Sequence, residues 1–250
     1  MSKSADFVPY VKRKNVEGVE FDFLIGDAEG RSWYDVDCTD PDWPEMRFMR
    51  DHLVKPGDVI LECGGHHGCT AILMSRWVGP RGRVITFEPH PKNVAILRRN
   101  LELNGIANVT LRQNAVGAEH GKVAMSDASN SAVRRRRWFR SAVEAEVVKL
   151  DDFAHEAPTL LKIDVEGFEV AALHGAREIL KTRPKLAIEI HTDLLPGYGT
   201  SVNELLARVD LAGYQSWIQW DDASDPVPYD GTAAITSRVH FFAVPAGSAS

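Results

Sequence analysis

The amino-acid sequence predicts a doubly wound α/β fold with a mostly parallel sheet of seven strands. The main observation is the stretch 59–89, where an apolar run ends in an acid and glycines, a helical segment follows, and a second apolar run ends in an acid. This order is that of one βαβ unit. Apolar runs and helical segments continue to alternate through residue 220, and the 250 residues suffice for one such domain. We therefore predict one domain, with residues 1–54 as an N-terminal extension and cap and residues 55–250 as the ligand-binding part.

The extension is predicted to start with a partly ordered lead-in and a small β unit. Residues 19–25 (VEFDFLI) alternate as a strand does, residues 27–30 are typical of a turn, and residues 32–36 are predicted to return as the hairpin partner. Trp33 and Tyr34 then either anchor the packing of this cap or form part of a lid over the ligand. Residues 45–54 have helical spacing and precede a turn that leads into the first core strand.

The glycine turn after the first core strand indicates the kind of ligand. Gly64, Gly65 and Gly68 allow backbone to approach a ligand closely, and the acid at the end of the next strand, Glu88, can accept hydrogen bonds from ribose hydroxyls. The ligand is then similar to NAD, FAD or S-adenosylmethionine. A dinucleotide fingerprint requires G-x-G-x-x-G, whereas Glu62 precedes this turn and suits the cationic amino-acid end of S-adenosylmethionine. The alternative is an α/β domain whose acids only cap helices or stay solvated.

The middle of the chain continues the alternation. Residues 93–104 are predicted as a helix and residues 109–111 as a strand. Asn114 and Ala115 follow the strand end, where they either meet an adenine ring or form an ordinary polar turn. Residues 122–125 and 146–150 are predicted as short strands that flank a loop. The loop carries Arg134–Arg137, which either binds an anionic acceptor or is a solvated surface run.

The stretch 159–176 (TLLKIDVEGFEVAALHGA) carries the predicted catalytic residues. Its strand brings Lys162, Asp164 and Glu166 to the crevice if it lies next to the first core strand. The next predicted strand, 185–190, ends at His191. Asp164 and His191 are candidate general bases, although His191 is equally suited to a structural hydrogen bond.

The remaining predicted elements complete the sheet and leave a metal as an option. Residues 201–212 are predicted as a helix, and residues 214–220 and 239–244 as the last two strands. We predict no dedicated metal site, but Asp164, Glu189 and His191 permit a divalent ion that the reaction does not require.

Composition limits the class of protein. A formal net charge of −6 does not favour a general nucleic-acid binder, and we expect no nucleic-acid partner. No apolar stretch is long enough to span a bilayer, and the first residues lack the apolar core of a signal peptide. Three cysteines without C-x-x-C spacing indicate neither a disulfide framework nor a zinc site. We therefore expect a cytoplasmic protein without membrane insertion, and a homo-oligomer is compatible with the sequence.

Several motifs resemble those of the FkbM-type S-adenosylmethionine-dependent methyltransferases, above all KPGDVILECGGHHG, VITFEPHPKNVAILRRNLELNG and LKIDVEGFEVAALHGA. The resemblance covers about residues 31–220 and implies a class I methyltransferase fold. It also implies O-methylation of hydroxyls on sugars, polyketides or other secondary metabolites. The residues it implies for cofactor contact are Glu62, Gly64, Gly68, Glu88, Asn114 and Ala115, to which we add Gly65 and Tyr34.

The glycine turn departs from the family pattern. Where the family usually has D-x-G-A-N-x-G, this chain has a glutamate at position 62 and two histidines at positions 66 and 67. Three roles are open for these histidines. They contact the carboxylate of the methionine part of the cofactor, they face the acceptor, or they cap the helix that follows.

The leading hypothesis is an S-adenosylmethionine-dependent O-methyltransferase that acts on a hydroxyl of a small molecule, with an anionic acceptor as one version. The alternatives are a non-catalytic partner subunit of methyltransferase fold and a nucleic-acid methyltransferase. An NAD-dependent oxidoreductase is disfavoured by the missing dinucleotide fingerprint.

Overall fold

A computed structural model describes residues 7–35, 43–126 and 142–247. Within these ranges the chain forms thirteen strands and seven α-helices. The strands are β1 (Tyr10–Val16), β2 (Val19–Ile25), β3 (Val59–Cys63), β4 (Arg83–Phe87), β5 (Val109–Arg112), β6 (Ala115–Val116), β7 (Gly121–Ser126), β8 (Ala142–Val148), β9 (Leu160–Ile163), β10 (Lys185–Ile190), β11 (Tyr214–Gln219), β12 (Val227–Pro228) and β13 (Val239–Pro245). The helices are α1 (Ala28–Tyr34), α2 (Pro44–Phe48), α3 (Cys69–Val78), α4 (Pro91–Leu103), α5 (Glu169–His174), α6 (Arg177–Lys181) and α7 (Val202–Leu206).

Shorter helical turns complete the secondary structure of the described ranges. A π-helical turn, Met49–Leu53, extends α2, and 3₁₀ turns occupy Leu150–Glu156, Leu195–Tyr198 and Leu211–Gly213. The predicted helix over residues 201–212 is thus shorter than expected, because after α7 the backbone changes to i→i−3 hydrogen bonds, as from Val209 N to Leu206 O. None of the helices in the described ranges combines the length and the apolar character needed to cross a bilayer.

The large sheet confirms the predicted fold class. Its strand order is β12-β11-β13-β10-β9-β3-β4-β5, in which the seven predicted strands are all present and β12 is a two-residue addition at one edge. Five neighbouring strands, in the order β10, β9, β3, β4 and β5, pair in parallel. β13 lies between β10 and β11 and pairs antiparallel with both. The chain leaves β3 toward β4 and later returns to the other side of β3 as β9. Because a topological switch point of this kind opens a crevice at the carboxyl ends of the strands, the β3–β9 boundary is where a ligand is expected.

The N-terminal hairpin differs from the prediction. β2 pairs antiparallel with β1 and not with the described part of the predicted partner, residues 32–35, because Glu17 and Gly18 both take positive φ and form a two-residue turn between the two strands. The segment predicted as the returning strand is instead helix α1, whose start is capped by Asp27 Oδ1, which accepts a hydrogen bond from Gly30 N at 2.6 Å. The lead-in therefore contributes a strand, and the turn signal at residues 27–30 is a helix cap.

Two apolar layers cover the two faces of the large sheet. One face packs against α5, α6 and α7. The other packs against β2, α2, α3 and α4, so the N-terminal extension shares a hydrophobic core with the sheet. Asn100 on α4 ties the hairpin in place, since its side-chain oxygen accepts a hydrogen bond from Leu24 N at 2.6 Å. The extension consequently forms a roof over one half of the sheet.

Candidate active site

One row of residues crosses the carboxyl end of the sheet on the face under the N-terminal extension. The registers pair Gln219 with His240 and His240 with Glu189. Continuing the parallel registers by one residue places Asp164 beside Glu189, Gly64 beside Asp164 and Glu88 beside Gly64. Residues in one row share a face of the sheet, so polar side chains from five strands line one edge, with Gly64 of the sixth strand between Asp164 and Glu88.

A cavity of about 950 Å³ lies over this row. Its wall contains ten of the twelve predicted site residues. These ten are Tyr34, Gly64, Gly65, Glu88, Asn114, Ala115, Lys162, Asp164, Glu166 and His191. Glu62, on β3 before the glycine turn, and Gly68, at the end of that turn, are not in the wall. Trp33, Trp43 and Glu45 of the N-terminal extension contribute to the wall from above. The Tyr34 ring packs against Phe23 and also lies in the cavity wall, so it anchors the packing of the extension, while its part in a lid over the ligand stays a prediction.

Glu88 is held in place by backbone donors on both of its oxygens. Its Oε2 accepts a hydrogen bond from His66 N and its Oε1 from His90 N, each at 2.8 Å, and Asn93 Nδ2 lies 3.3 Å from Oε1. Burial raises the pKa of Glu88 to about 7, against the lowering effect of these hydrogen bonds. The carboxylate is thus oriented in the cavity wall before any ligand binds.

The paired histidines of the glycine turn form a stacked unit beside Glu88. The rings of His66 and His67 are 4.1 Å apart and inclined by 2°. Tyr34 Oη is 2.7 Å from His66 Nδ1, and His66 itself has φ of 44°, in the left-handed region that few non-glycine residues adopt. Burial lowers the pKa of both rings to about 4. His66 therefore presents a neutral ring to the cavity at neutral pH.

We expect this histidine pair to destabilise the protein in acid. Since the pKa values in the folded state are lowered from 6.5 to about 4, the pair contributes stability that is complete above pH 6.5 and is lost as the pH falls toward 4. Urea unfolding of the wild type and of a His66→Gln/His67→Asn variant at pH 7, 6 and 5 tests this. The difference between the two free energies of unfolding should change by on the order of a few kcal/mol over that range. Glu88, whose raised pKa acts in the opposite direction, is common to both proteins, and a constant difference would contradict the expectation.

The glycines of the turn are required for close approach of neighbouring backbone. A Cβ on Gly64, which has φ of +92°, would lie 1.9 Å from the carbonyl oxygen of Asp164. A Cβ on Gly68, at the start of α3, would meet Leu97 at 2.9 Å. The contact at Gly64 brings the turns after β3 and β9 together at the switch point, as a ligand-binding crevice requires, and the contact at Gly68 packs the start of α3 against α4.

A buried lysine lies among carboxylates on β9, two residues before Asp164 and on the same face of the sheet. Lys162 is 4% exposed, and its Nζ is 3.3 Å from Asp164 Oδ2. Burial lowers its pKa, but the charges of Asp164, Glu45, Glu62 and Glu189 outweigh this and raise the pKa above its usual range. Lys162 therefore stays protonated and neutralises part of a strongly acidic floor.

Glu62, on the neighbouring strand, is fully buried. One of its oxygens accepts a hydrogen bond from Thr70 Oγ1, and Oε2 has no hydrogen-bond partner among the described residues. Burial raises its pKa, while Lys162 lowers it. A carboxylate with an unused oxygen directly under the glycine turn fits a cationic group of a ligand above it.

Asp164, Glu166 and His191 form the second predicted cluster. The charges of Lys162, His191 and His240 overcome the effect of burial and lower the pKa of Asp164, which is ionised. Glu166 has φ of 50°, and its Oε2 is 3.6 Å from His191 Nε2. One ligand atom from each of the three residues lies within 4.8 Å of the other two, so they can also hold a divalent ion.

Glu169, which the sequence analysis did not select, orients His191. Its Oε1 is 2.7 Å from His191 Nδ1 and also accepts a hydrogen bond from Gly167 N. Burial lowers the pKa of His191, but this hydrogen bond and the nearby carboxylates raise it to about 9. The position of Glu169 in the DVEGFE segment, five residues after Asp164, was the signal available in the sequence.

Apart from Glu189, the far wall of the cavity consists of residues that the sequence analysis did not identify. Arg238 donates to both Glu189 and Asp222, and His240 Nε2 is 3.3 Å from Asp222 Oδ1. The hydrogen bonds from His240 and Arg238 lower the pKa of Asp222 to about 2, and the charge of Glu45 together with the Asp222 contact raises the pKa of His240 to about 9 despite its burial. Gln219 completes this wall. No local motif marks these residues, because their proximity depends on the insertion of β13 beside β10.

The predicted adenine-contacting turn lies at the opposite end of the cavity. Asn114 and Ala115 are both in its wall, beside Val116 and Met125 of the small β6-β8-β7 sheet. One interpretation of Arg134–Arg137 is that they bind an anionic acceptor. These residues lie outside the part of the chain that the structure describes.

Comparison with known proteins identifies the family. The sequence model described as Methyltransferase FkbM domain matches residues 62–216, more than half of the chain. The protein-L-isoaspartate O-methyltransferase of Methanococcoides burtonii is 39% identical over 70 residues, which are 27% of this chain and 34% of that protein. The catechol O-methyltransferase of Mycobacterium tuberculosis is 41% identical over 49 residues, 20% of this chain and 22% of that protein. The chain thus matches about a third or less of the length of each relative.

A solved structure of Aeropyrum pernix fibrillarin with natively bound S-adenosyl-L-methionine has a TM-score of 0.49 and 17% identity, over 81% of this chain and 76% of that chain. The family match carries the assignment, since it includes both the glycine turn and the KIDVEGFE segment, which meet at the switch point of the sheet. The chain therefore belongs to the FkbM family of S-adenosylmethionine-dependent methyltransferases.

Proposed function

We propose that this protein transfers a methyl group from S-adenosylmethionine to a hydroxyl oxygen of a small molecule. The observation that carries the proposal is Asp164, an ionised carboxylate held by Lys162 at the switch point of the sheet. An alkyl hydroxyl attacks poorly until a base accepts its proton, and Asp164 is placed to do so in the cavity wall.

The donor end of the cavity fits S-adenosylmethionine. Glu88 offers a carboxylate for the ribose hydroxyls, and Glu62 places a buried negative charge with an unused oxygen beneath the glycine turn. Asn114 and Ala115 lie where an adenine ring would meet the wall. When bound, the cofactor supplies an electrophilic methyl group on a sulfonium centre, and the acidic floor is complementary to that positive charge.

A base that accepts the hydroxyl proton must stay ionised until the reaction. Lys162 and the protonated His191 stabilise the Asp164 carboxylate electrostatically. The roof formed by Tyr34, Trp43 and Glu45 limits the access of water to this half of the cavity. Much of the rate enhancement would come from holding the two reactants together, with proton transfer to Asp164 as the chemical contribution of the chain.

The charges of the described wall support a small molecule over a nucleic acid. The wall has more acidic side chains than lysine and arginine side chains. The acids are Glu45, Glu88, Asp164, Glu166, Glu189, Asp193 and Asp222, and the basic residues are Lys162 and Arg238. A polyphosphate backbone would be repelled by this wall. The same charges disfavour the anionic acceptor that is one interpretation of Arg134–Arg137.

An Asp164→Asn substitution tests the proposal. We expect kcat to fall by about 10²- to 10⁴-fold, because the amide cannot accept the proton, while the affinity for S-adenosylmethionine changes little. The assay measures S-adenosylhomocysteine release with a panel of hydroxylated small molecules, and mass spectrometry identifies the methylated oxygen. Asp225→Asn, a surface substitution outside the cavity, is the matched control.

The same assay separates a base from a metal-assisted mechanism. Rates that are equal with EDTA and with added Mg²⁺ support proton acceptance by Asp164, because the protonated His191 already supplies a positive charge 3.6 Å from Glu166 and 3.5 Å from Glu189. A rate that depends on the added metal would show that Asp164, Glu166 and His191 act as ligands. Methylation of RNA or of an amine, with no small-molecule hydroxyl accepted, would overturn the proposal.

A further inference from the structure

Gln219 has an unusual environment for a buried amide. It ends β11, is 0% exposed and lies in the wall of the cavity. Within residues 7–35, 43–126 and 142–247, neither its Nε2 nor its Oε1 has a hydrogen-bond partner. Buried polar groups are nearly always hydrogen-bonded, and an unsatisfied one destabilises the folded state. A donor and an acceptor kept unused in a cavity wall indicate a ligand that completes them.

The charged groups near Gln219 already pair with one another. Arg238 bridges Glu189 and Asp222, while His240 lies between Asp222 and Glu45. An incoming carboxylate would meet the three acids of this network, and an incoming ammonium would meet Arg238. The amide of Gln219 therefore offers its hydrogen bonds to a neutral group.

The distance from Asp164 sets the size of the ligand. Gln219 and Asp164 are separated by three strand-to-strand steps, through His240 and Glu189. At about 4.8 Å per step the two residues lie roughly 14 Å apart along the row. A molecule that is methylated beside Asp164 and reaches Gln219 must therefore have about the length of two or three joined rings.

We propose that Gln219 is the specificity-determining residue of a distal acceptor subsite, which binds a neutral group that carries a donor and an acceptor side by side. The inference rests on the proposed function, because it places the acceptor in the same cavity. Two neighbouring hydroxyls on a ring match the amide N–H and C=O, as does a carboxamide. The vicinal diol is the version that the wall favours, since additional hydroxyls can also donate to Asp222 and accept from Arg238.

Ligand-observed NMR on the full chain with S-adenosylhomocysteine present tests the subsite directly. The probes are a neutral methyl disaccharide, its analogue lacking one hydroxyl of a vicinal pair, a uronate, an amino sugar and a small carboxamide. We expect the neutral diol to bind, and its affinity to fall at least about tenfold in a Gln219→Leu variant. Gln215→Leu, on the same strand but outside this cavity, is the matched control and should bind as the wild type does.

A stability measurement separates recognition from a structural role. If the amide is kept for a ligand, Gln219→Leu should unfold at an equal or higher temperature than the wild type, because an unsatisfied buried group has been removed. A lower unfolding temperature with unchanged probe binding would overturn the inference. So would equal binding by the variant, preference for the uronate or the amino sugar, or binding of neither the neutral diol nor the carboxamide by the wild type.

The arms of the experiment keep the two proposals distinct. Binding of the carboxamide in place of the diol would retain the donor–acceptor subsite and change its ligand. Methyl transfer to a hydroxyl that is unaffected by Gln219→Leu would leave the proposed function standing and remove the subsite. Diol binding that depends on Gln219, without any methyl transfer, would support the subsite and contradict the proposed function.

Discussion

A Glu88→Ala variant should lose S-adenosylmethionine binding almost completely. Hydrogen bonds to a charged acceptor contribute about 1.5–3 kcal/mol each, so removing the acceptor of both ribose hydroxyls should raise Kd by at least about 100-fold. The substitution also removes the anchor of His66 N and His90 N, which adds to the loss. Calorimetric titration with S-adenosylmethionine and S-adenosylhomocysteine measures the effect.

Two controls show whether the loss is local. Glu88→Gln keeps the size of the side chain and one acceptor oxygen, and should lose less affinity than Glu88→Ala. Thermal unfolding of both variants shows whether the glycine turn has collapsed. Because burial raises the pKa of Glu88 to about 7, the wild-type affinity should also weaken as the pH falls from 8 to 6. Tight binding by a folded Glu88→Ala variant would place the cofactor elsewhere.

A Lys162→Met variant should be destabilised more than any surface substitution of a lysine. Removing one partner of a buried ion pair costs about 3–5 kcal/mol, because the remaining charges are left uncompensated. Here Asp164, Glu45, Glu62 and Glu189 all face the lost charge. Urea unfolding at pH 7 measures the change, and the deficit should shrink at lower pH as these acids become protonated.

Lys181→Met is the matched control for this variant. Lys181 and its partner Glu178 are both mostly exposed, so breaking that pair should change the free energy of unfolding by less than about 1 kcal/mol. Combining Lys162→Met with Glu62→Gln should restore part of the stability, because one of the uncompensated charges is removed. A loss below about 1 kcal/mol for Lys162→Met alone would contradict the electrostatic account of this floor.

The large sheet could be predicted from the sequence because parallel strands that are buried on both faces form continuous apolar runs. The runs that become β3, β4, β9 and β10 each end in a polar or acidic residue, which also located the carboxyl edge of the sheet. The donor end of the site follows from the same local signals.

Other parts of the structure depend on contacts that no local pattern encodes. The predicted pairing of β2 is wrong because the helix cap at Asp27 has the same sequence features as a turn. The turn that β2 does use, Glu17 and Gly18, carries only one glycine to mark it. The far wall was missed because Arg238 and His240 reach the site only through the pairing of β13 with β10. The role of Glu169 depends equally on a contact across 22 residues with His191.

The position of β13 also determines the order in which the site can be assembled. β13 follows every other strand of the large sheet in the chain, yet it separates β10 from β11. During synthesis the earlier strands can collapse first, since chains begin to fold from the N-terminal side. Until β13 arrives, β10 keeps an unpaired edge and β11 has no place in the sheet, a state prone to wrong pairing. The half of the cavity that holds Glu88 and Asn114 can thus form during translation, whereas the far wall with Arg238 and His240 waits for the final strand.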